Sequence, residues 1–208
     1  NDPKVDQALF SLGYNHFELG NAALGERYYK QLVQKYPKSS FVIESHFALA
    51  EYYFENEDWK RALDHYTRVV KSKNARLMTL ALYKSAWCLY RLSRTKLALQ
   101  ALERVIRQSR IAESSHSSSG GRSVSRVRLG QEALKDYVPF YADSGEDAGK
   151  AESVFLRLSG NEEQAYQMLE RLAYIYADGG NRRQAVTLFK RLISRNPLSE
   201  KAAEYQHQ

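Results

Sequence analysis

The chain has 208 residues, 43 % hydrophobic and 12 % aromatic, with 15 Tyr and only 4 Pro, which is ample apolar material for a packed core and a composition that favours helix. No run approaches the roughly 18 consecutive apolar residues that a membrane-spanning helix needs, so the sequence predicts a chain that is not membrane-spanning. The 31 basic and 24 acidic residues leave a formal charge of +7, enough to bias association with anionic partners but well short of a polybasic tail.

The N-terminus, Asn1-Asp2-Pro3, has neither an initiator Met nor a signal-like apolar stretch, the look of a chain processed or excised from a longer one. Asp2 and Pro3 are good start residues for a first helix that carries Val5, Leu9, Leu12, His16 and Leu19 and stops at Gly20. Asn21 is placed to cap a second helix, running through Leu24, Tyr28, Leu32 and Val33 to Tyr36-Pro37. Ser39 or Ser40 restarts the chain into a helix from Phe41 to about Asn56. Asp58 caps the next, with Trp59, Ala62, Leu63, Tyr66 and Val69, ending near Asn74. Two more helices are expected over Leu77–Leu92 and Thr95–Arg110. Cys88, the single cysteine, lies in the first of these between Trp87 and Leu89 and reads as a buried thiol.

Residues 114–125 are Ser- and Gly-rich and too poor in apolar side chains to offset the entropy of ordering, so they are expected to form a loop or mobile insertion. A helix over Leu129–Ala142 follows, with a kink expected at Pro139 because proline removes a backbone donor. The turn beginning at Asp143 is one residue longer than its later counterpart at Asp178-Gly-Gly-Asn181. A helix over Lys150–Leu158 then ends at Gly160-Asn161. Glu162–Pro197 reads as a further helical pair, and Ser199–Tyr205 as the start of another helix.

These elements are not independent. A small residue is followed twelve positions later by another and four later by a large apolar residue at Gly13, Gly25 and Tyr29, and again at Ala50, Ala62 and Tyr66. The spacing returns at Ala86, Ala98 and Leu102, and at Ala173, Ala185 and Phe189. A period in the mid-thirties marks helical hairpins that stack, since one hairpin alone cannot bury its apolar face. With Pro37 and Pro197 closing two of the units, the pattern resembles the tetratricopeptide repeat family; Val138, at the first small place of the fourth unit, departs from it most. The resemblance implies an all-α, right-handed superhelical solenoid of about five hairpins, with units at about 6–39, 43–76, 79–112, 131–165 and 166–199. The phrasing Tyr36-Pro37-Lys38-Ser39, with Ala50-Glu51-Tyr52-Tyr53 after it, is similar to members from bacterial cell envelopes: outer-membrane assembly lipoproteins, coordinators of envelope constriction and gliding-motility proteins. That likeness implies a periplasmic or outer-membrane-associated location, with the cytoplasm as the alternative.

In this family the first helix of each unit lines the concave face, where partners are held. Those places hold Phe10, Tyr14 and Phe17, then Phe47, Glu51 and Phe54, then Tyr83, Trp87 and Tyr90, and finally Lys135, Asp136, Glu170 and Tyr174. So many rings at equivalent positions suit a groove for a peptide or helix of a protein partner, although single rings can equally pack on a neighbouring helix. The Lys and Asn that grip chaperone tails in some members are replaced here by Phe10 and Tyr14. A second candidate surface is a basic edge of Arg104, Arg107, Arg110, Arg122, Arg126 and Arg128, which would suit an anionic polymer; nucleic acid is nevertheless not the expected partner. The five histidines, His16, His46, His65, His116 and His207, show no metal-ligand spacing, no Gly-rich phosphate loop follows a strand, and no nucleophile has a base placed by sequence. The expected function is therefore a non-catalytic scaffold without metal or cofactor, its oligomeric state open. An accessory domain positioning a cell-wall enzyme is the other class of reading.

Overall fold

A computed structural model of the chain describes residues 4–72, 77–114, 120–195, 197 and 205. Helices α1 (Val5–Glu18), α2 (Ala22–Lys35), α3 (Val42–Glu55), α4 (Trp59–Lys71) and α5 (Met78–Arg91) come first. They are followed by α6 (Thr95–Ser114), α7 (Gly120–Ala142), α8 (Ala151–Ser159), α9 (Glu162–Asp178) and α10 (Arg182–Arg195), with a single 3-10 turn, Ala148–Lys150, leading into α8. No strand occurs among the described residues. The helices fall into two compact units, residues 1–101 and 102–208, divided within α6.

In the first unit each helix packs on its successor: α1 on α2, α2 on α3, α3 on α4 and α4 on α5. The repeated small residues are what permits the approach. A Cβ on Gly13 would stand 2.8 Å from the Tyr29 ring, and one on Gly25 would stand 2.6 Å from the Phe17 ring. Ala50, Ala62 and Tyr66 are fully buried, and so are Ala86 and Ala98. Every hairpin turn places the residue seven after its first small residue in the left-handed region: Gly20 (φ 75°), Glu57 (φ 57°), Ser93 (φ 58°), Gly145 (φ 72°) and Gly180 (φ 75°). In four of them the next residue's N–H reaches back five residues at 2.8 Å: Asn21 to His16, Asp58 to Tyr53, Arg94 to Leu89 and Asn181 to Tyr176. This 6→1 bond is a Schellman closure, which satisfies an otherwise orphaned helix carbonyl. Asp58 also caps α4 by accepting from the Arg61 N–H at 3.0 Å. Asn21 holds the N-cap place of α2, but its side chain makes no capping bond, contrary to expectation.

In the second unit α9 packs against α7, α8 and α10. Val138 is fully buried, and the equally buried small and aromatic residues that follow it fall 13 and 17 positions on, at Ala151 and Phe155, one later than in the other units. Between the longer turn and α8 lies the 3-10 turn Ala148–Lys150, in which Ala148 is buried. Asp147 caps that turn, accepting from the Gly149 N–H at 2.8 Å.

The expected loop over residues 114–125 needs correction. Ser114 ends α6 and α7 already begins at Gly120, nine residues before the predicted start. Composition does not mark this start, and the contacts of α7 with α6 lie further along it, at Val127 and Gly130. Gly130 lets it approach α6 so closely that a Cβ there would stand 2.1 Å from the Ser109 hydroxyl. Residues 115–119 lie outside the described residues. So do the predicted start at Asp2-Pro3, the end near Asn74, and the segment after Pro197 except Tyr205.

Pro139 sits inside α7. It removes the N–H that would bond the Lys135 carbonyl. Arg171 from α9 supplies the missing donor, its Nη1 standing 3.1 Å from that oxygen.

Candidate partner-binding face

The first-helix positions of the first unit divide into residues used for packing and residues left outward. Phe10 lies between Tyr29 and Phe41, with ring centroids 5.6 and 4.8 Å away. Phe17 covers Gly25 and meets Tyr29 and Tyr52 at 5.6 and 5.3 Å. Phe47 meets the edge of Tyr66 at 6.0 Å, and Phe54 meets Trp59 at 5.2 Å. These four rings are half-buried against the core of the unit. Their packing explains why rings recur at these places without any appeal to a ligand.

Tyr14 differs, being 52 % exposed on α1. On α5, Tyr83, Trp87 and Tyr90 are half-buried, with Trp87 and Tyr90 edge-to-face at 6.0 Å. Between them in sequence, Lys84 projects its ammonium 4.2 Å from the Phe54 centroid and 3.4 Å from Glu51. The other oxygen of Glu51 accepts from the Tyr66 hydroxyl. One carboxylate thus ties α3, α4 and α5 together. Burial, reinforced by Glu51, raises the Tyr66 phenol far above the ordinary tyrosine range, so it remains a donor.

The same device recurs. Tyr53 donates to Glu26 at 2.5 Å, Tyr137 to Glu103 at 2.9 Å and Tyr205 to Glu170 at 2.7 Å. Burial alone would raise the Glu26 carboxyl, but bonds from Lys30 and Tyr53 bring it below the usual carboxylate range. Sequence reading passed over Glu26, Tyr53, Tyr137 and Glu103. The available signal was a polar-tipped tyrosine at a buried repeat position, which needs a partner from another helix.

In the second unit, Lys135 is exposed and ion-paired to Glu132 at 3.0 Å, and Asp136 is half-buried. Glu170 is engaged by Tyr205, and Tyr174 packs edge-on to Phe189 at 5.4 Å. Glu170 and Tyr174 therefore contribute to packing within this unit.

On the basic edge, Arg104, Arg107 and Arg128 are exposed and Arg126 is half-buried. The Arg122 side chain lies outside the described residues. Arg110 plays a structural part, because its Nη1 donates to the carbonyls of Arg157 and Leu158, at 3.2 and 3.4 Å, where α8 ends. Its guanidinium is thereby committed to a helix terminus, which reduces the edge available to an anion.

Cys88 is fully buried, and burial pushes its thiol up to about 12, so almost none is thiolate at neutral pH. Among the described residues no group of three or more His, Cys, Asp or Glu side chains could hold a metal ion. No described helix is long and apolar enough to cross a membrane.

Comparison with known proteins agrees with this architecture. Two tetratricopeptide repeat profiles match, one over residues 47–113 and the other over residues 7–39 and 167–199. The solved structure described as "Crystal structure of MamA protein" is similar over 97 % of this chain and 96 % of its own, with a TM-score of 0.56 and 18 % identity. At that identity the likeness speaks for the fold. No curated protein matches the chain.

Proposed function

For a chain built on tetratricopeptide repeats, we propose the role of a non-catalytic protein-interaction scaffold that holds a peptide or helix of a partner on the first-helix face of its first unit. The observation that carries the reading is the division of rings on that face. Phe10, Phe17, Phe47 and Phe54 build the wall, while Tyr14 of α1 is exposed, and α5 carries the Lys84 that pairs with Glu51 and the half-buried, edge-to-face Trp87 and Tyr90. Aromatic side chains backed by a fixed packing layer lose little rotamer freedom on binding, the usual property of hot-spot residues. The resemblance of Tyr36–Ser39 and Ala50–Tyr53 to bacterial envelope members supports a partner within an envelope complex, in the periplasm or at the outer membrane.

The test compares two variants in a pull-down followed by affinity measurement with the captured protein. Trp87→Ala, with its helicity checked by circular dichroism, is expected to weaken binding by about 2 kcal/mol. Reversing Arg104, Arg107 and Arg128 to Glu is expected to change mainly the salt dependence and on-rate. Loss of binding in the arginine variant alone would transfer the site to α6 and α7.

A further inference from the structure

Within the first unit, His46 of α3 and His65 of α4 meet with their Nδ1 atoms 2.8 Å apart and ring centroids at 5.0 Å. Two imidazoles sharing a metal would each turn toward a point beside the N–N line. Bonds of about 2.0–2.1 Å at a right angle would bring the centroids to about 4.5 Å. The observed rings instead lie almost head to head, which is the geometry of one nitrogen donating to the other. Such a contact holds one proton. With none the two lone pairs face each other, and with two the N–H groups collide.

We infer that the His46–His65 bridge is an acid-sensitive joint: it closes α3 on α4 while one proton lies between the two Nδ1 atoms, and it opens when both rings become imidazolium and two N–H groups face each other. The surroundings suit this role. His46 is buried and His65 half-buried, with the Tyr53 ring 5.5 Å from His65. The charged groups bearing on the pair are Lys30 of α2 and Asp64 and Arg68 of α4. Each cation has its own acid: Lys30 pairs with Glu26 at 2.6 Å and Arg68 with Asp64 at 3.2 Å. From α3 the pair meets Tyr53, whose hydroxyl is already committed to Glu26. On α5, Lys84 and Cys88 face the Glu51–Tyr66 side of the hairpin. Among these groups no unpaired carboxylate is offered to an added proton.

Burial, followed by the neighbouring His46, pushes His65 down to about 4, and burial lowers His46 as well. An opened joint takes up the proton near 6.5 while the closed one resists until about 4. The closed state is accordingly favoured at neutral pH and loses its advantage as pH falls through that window.

Hydrogen exchange of α3 and α4 amides, corrected for intrinsic rates, tests the joint at pH 7.5 and 5.0 in the wild-type chain and in His65→Gln. The glutamine amide of that variant can still bond His46 but takes up no proton. Opening is expected to rise about tenfold or more in the wild type and clearly less in the variant, where His46 alone still titrates. Imidazole nitrogen NMR of the wild type supplies a second readout that needs no variant, with one Nδ1–H shared by two neutral rings down to pH 6. Equal acid opening in both proteins would overturn the inference, as would two rings titrating independently near 6.5.

Discussion

The two units share the left-handed hairpin turn but differ in how the remaining helix carbonyls find donors. In the first unit, α1, α3 and α5 are closed by neighbours in sequence: a left-handed residue at 20, 57 or 93 and a 6→1 backbone bond. In the second, the irregular pair α7 and α8 depends on arginines from distant positions. Arg171 serves the carbonyl freed by Pro139, and Arg110 serves the last carbonyls of α8, beside Gly160 at φ 63°. A repeat that keeps its spacing can cap itself locally. In the irregular pair, an internal proline and the last carbonyls of α8 draw further donors from distant positions.

The largest expected effect tests the close packing beneath the regular pattern. Gly25→Ala would drive a methyl against the Phe17 ring and is expected to cost about 1–3 kcal/mol in urea unfolding. Gly20→Ala, where a Cβ has open space, would cost only about 1 kcal/mol, from backbone strain. Equal costs would mean that turn geometry, not the helix crossing, fixes these glycines.

Next comes the proline repair. Arg171→Met should destabilise the chain by about 1–2 kcal/mol by leaving the Lys135 carbonyl without its charged donor. Pro139→Ala restores a local N–H for that carbonyl, so the arginine should matter much less in the double variant. Strict additivity in the cycle would show that the two residues are not coupled through that oxygen.

Arg110→Met is expected to cost about 1 kcal/mol and to speed amide exchange at the end of α8. Smallest, and opposite in sign, are Glu57→Gly and Ser93→Gly. Each relieves a left-handed non-glycine residue and should raise stability by about 0.5–1 kcal/mol in thermal unfolding.

This contrast also explains what could be read from the residues alone. The twelve-residue spacing of Gly13 with Gly25 and of Ala50 with Ala62 reports a helix crossing, and that is a local, periodic fact. It made the helical pairs legible, and the tetratricopeptide profiles fall on the same stretches. The start of α7 was hidden because its Ser- and Gly-rich residues carry no apolar period, and so was the Ser109–Gly130 approach, which joins residues 21 apart. The roles of Arg110 and Arg171 were hidden for the same reason, as was the His46–His65 contact across a hairpin. On the candidate face, the pattern located the aromatic positions. It could not separate Phe17, which covers a glycine, from the exposed Tyr14, because the two occupy equivalent faces of one helix and only packing distinguishes them.

The most direct test of the scaffold reading is hydroxyl-radical footprinting of the chain with and without its captured partner, which reports on side chains one at a time. The account predicts that the partner shields Tyr14, Trp87 and Tyr90 while the buried Tyr29 and Tyr66 are unchanged. Shielding confined to side chains around Arg104, Arg107 and Arg128, with Tyr14 and Trp87 as reactive as in the free chain, would contradict it.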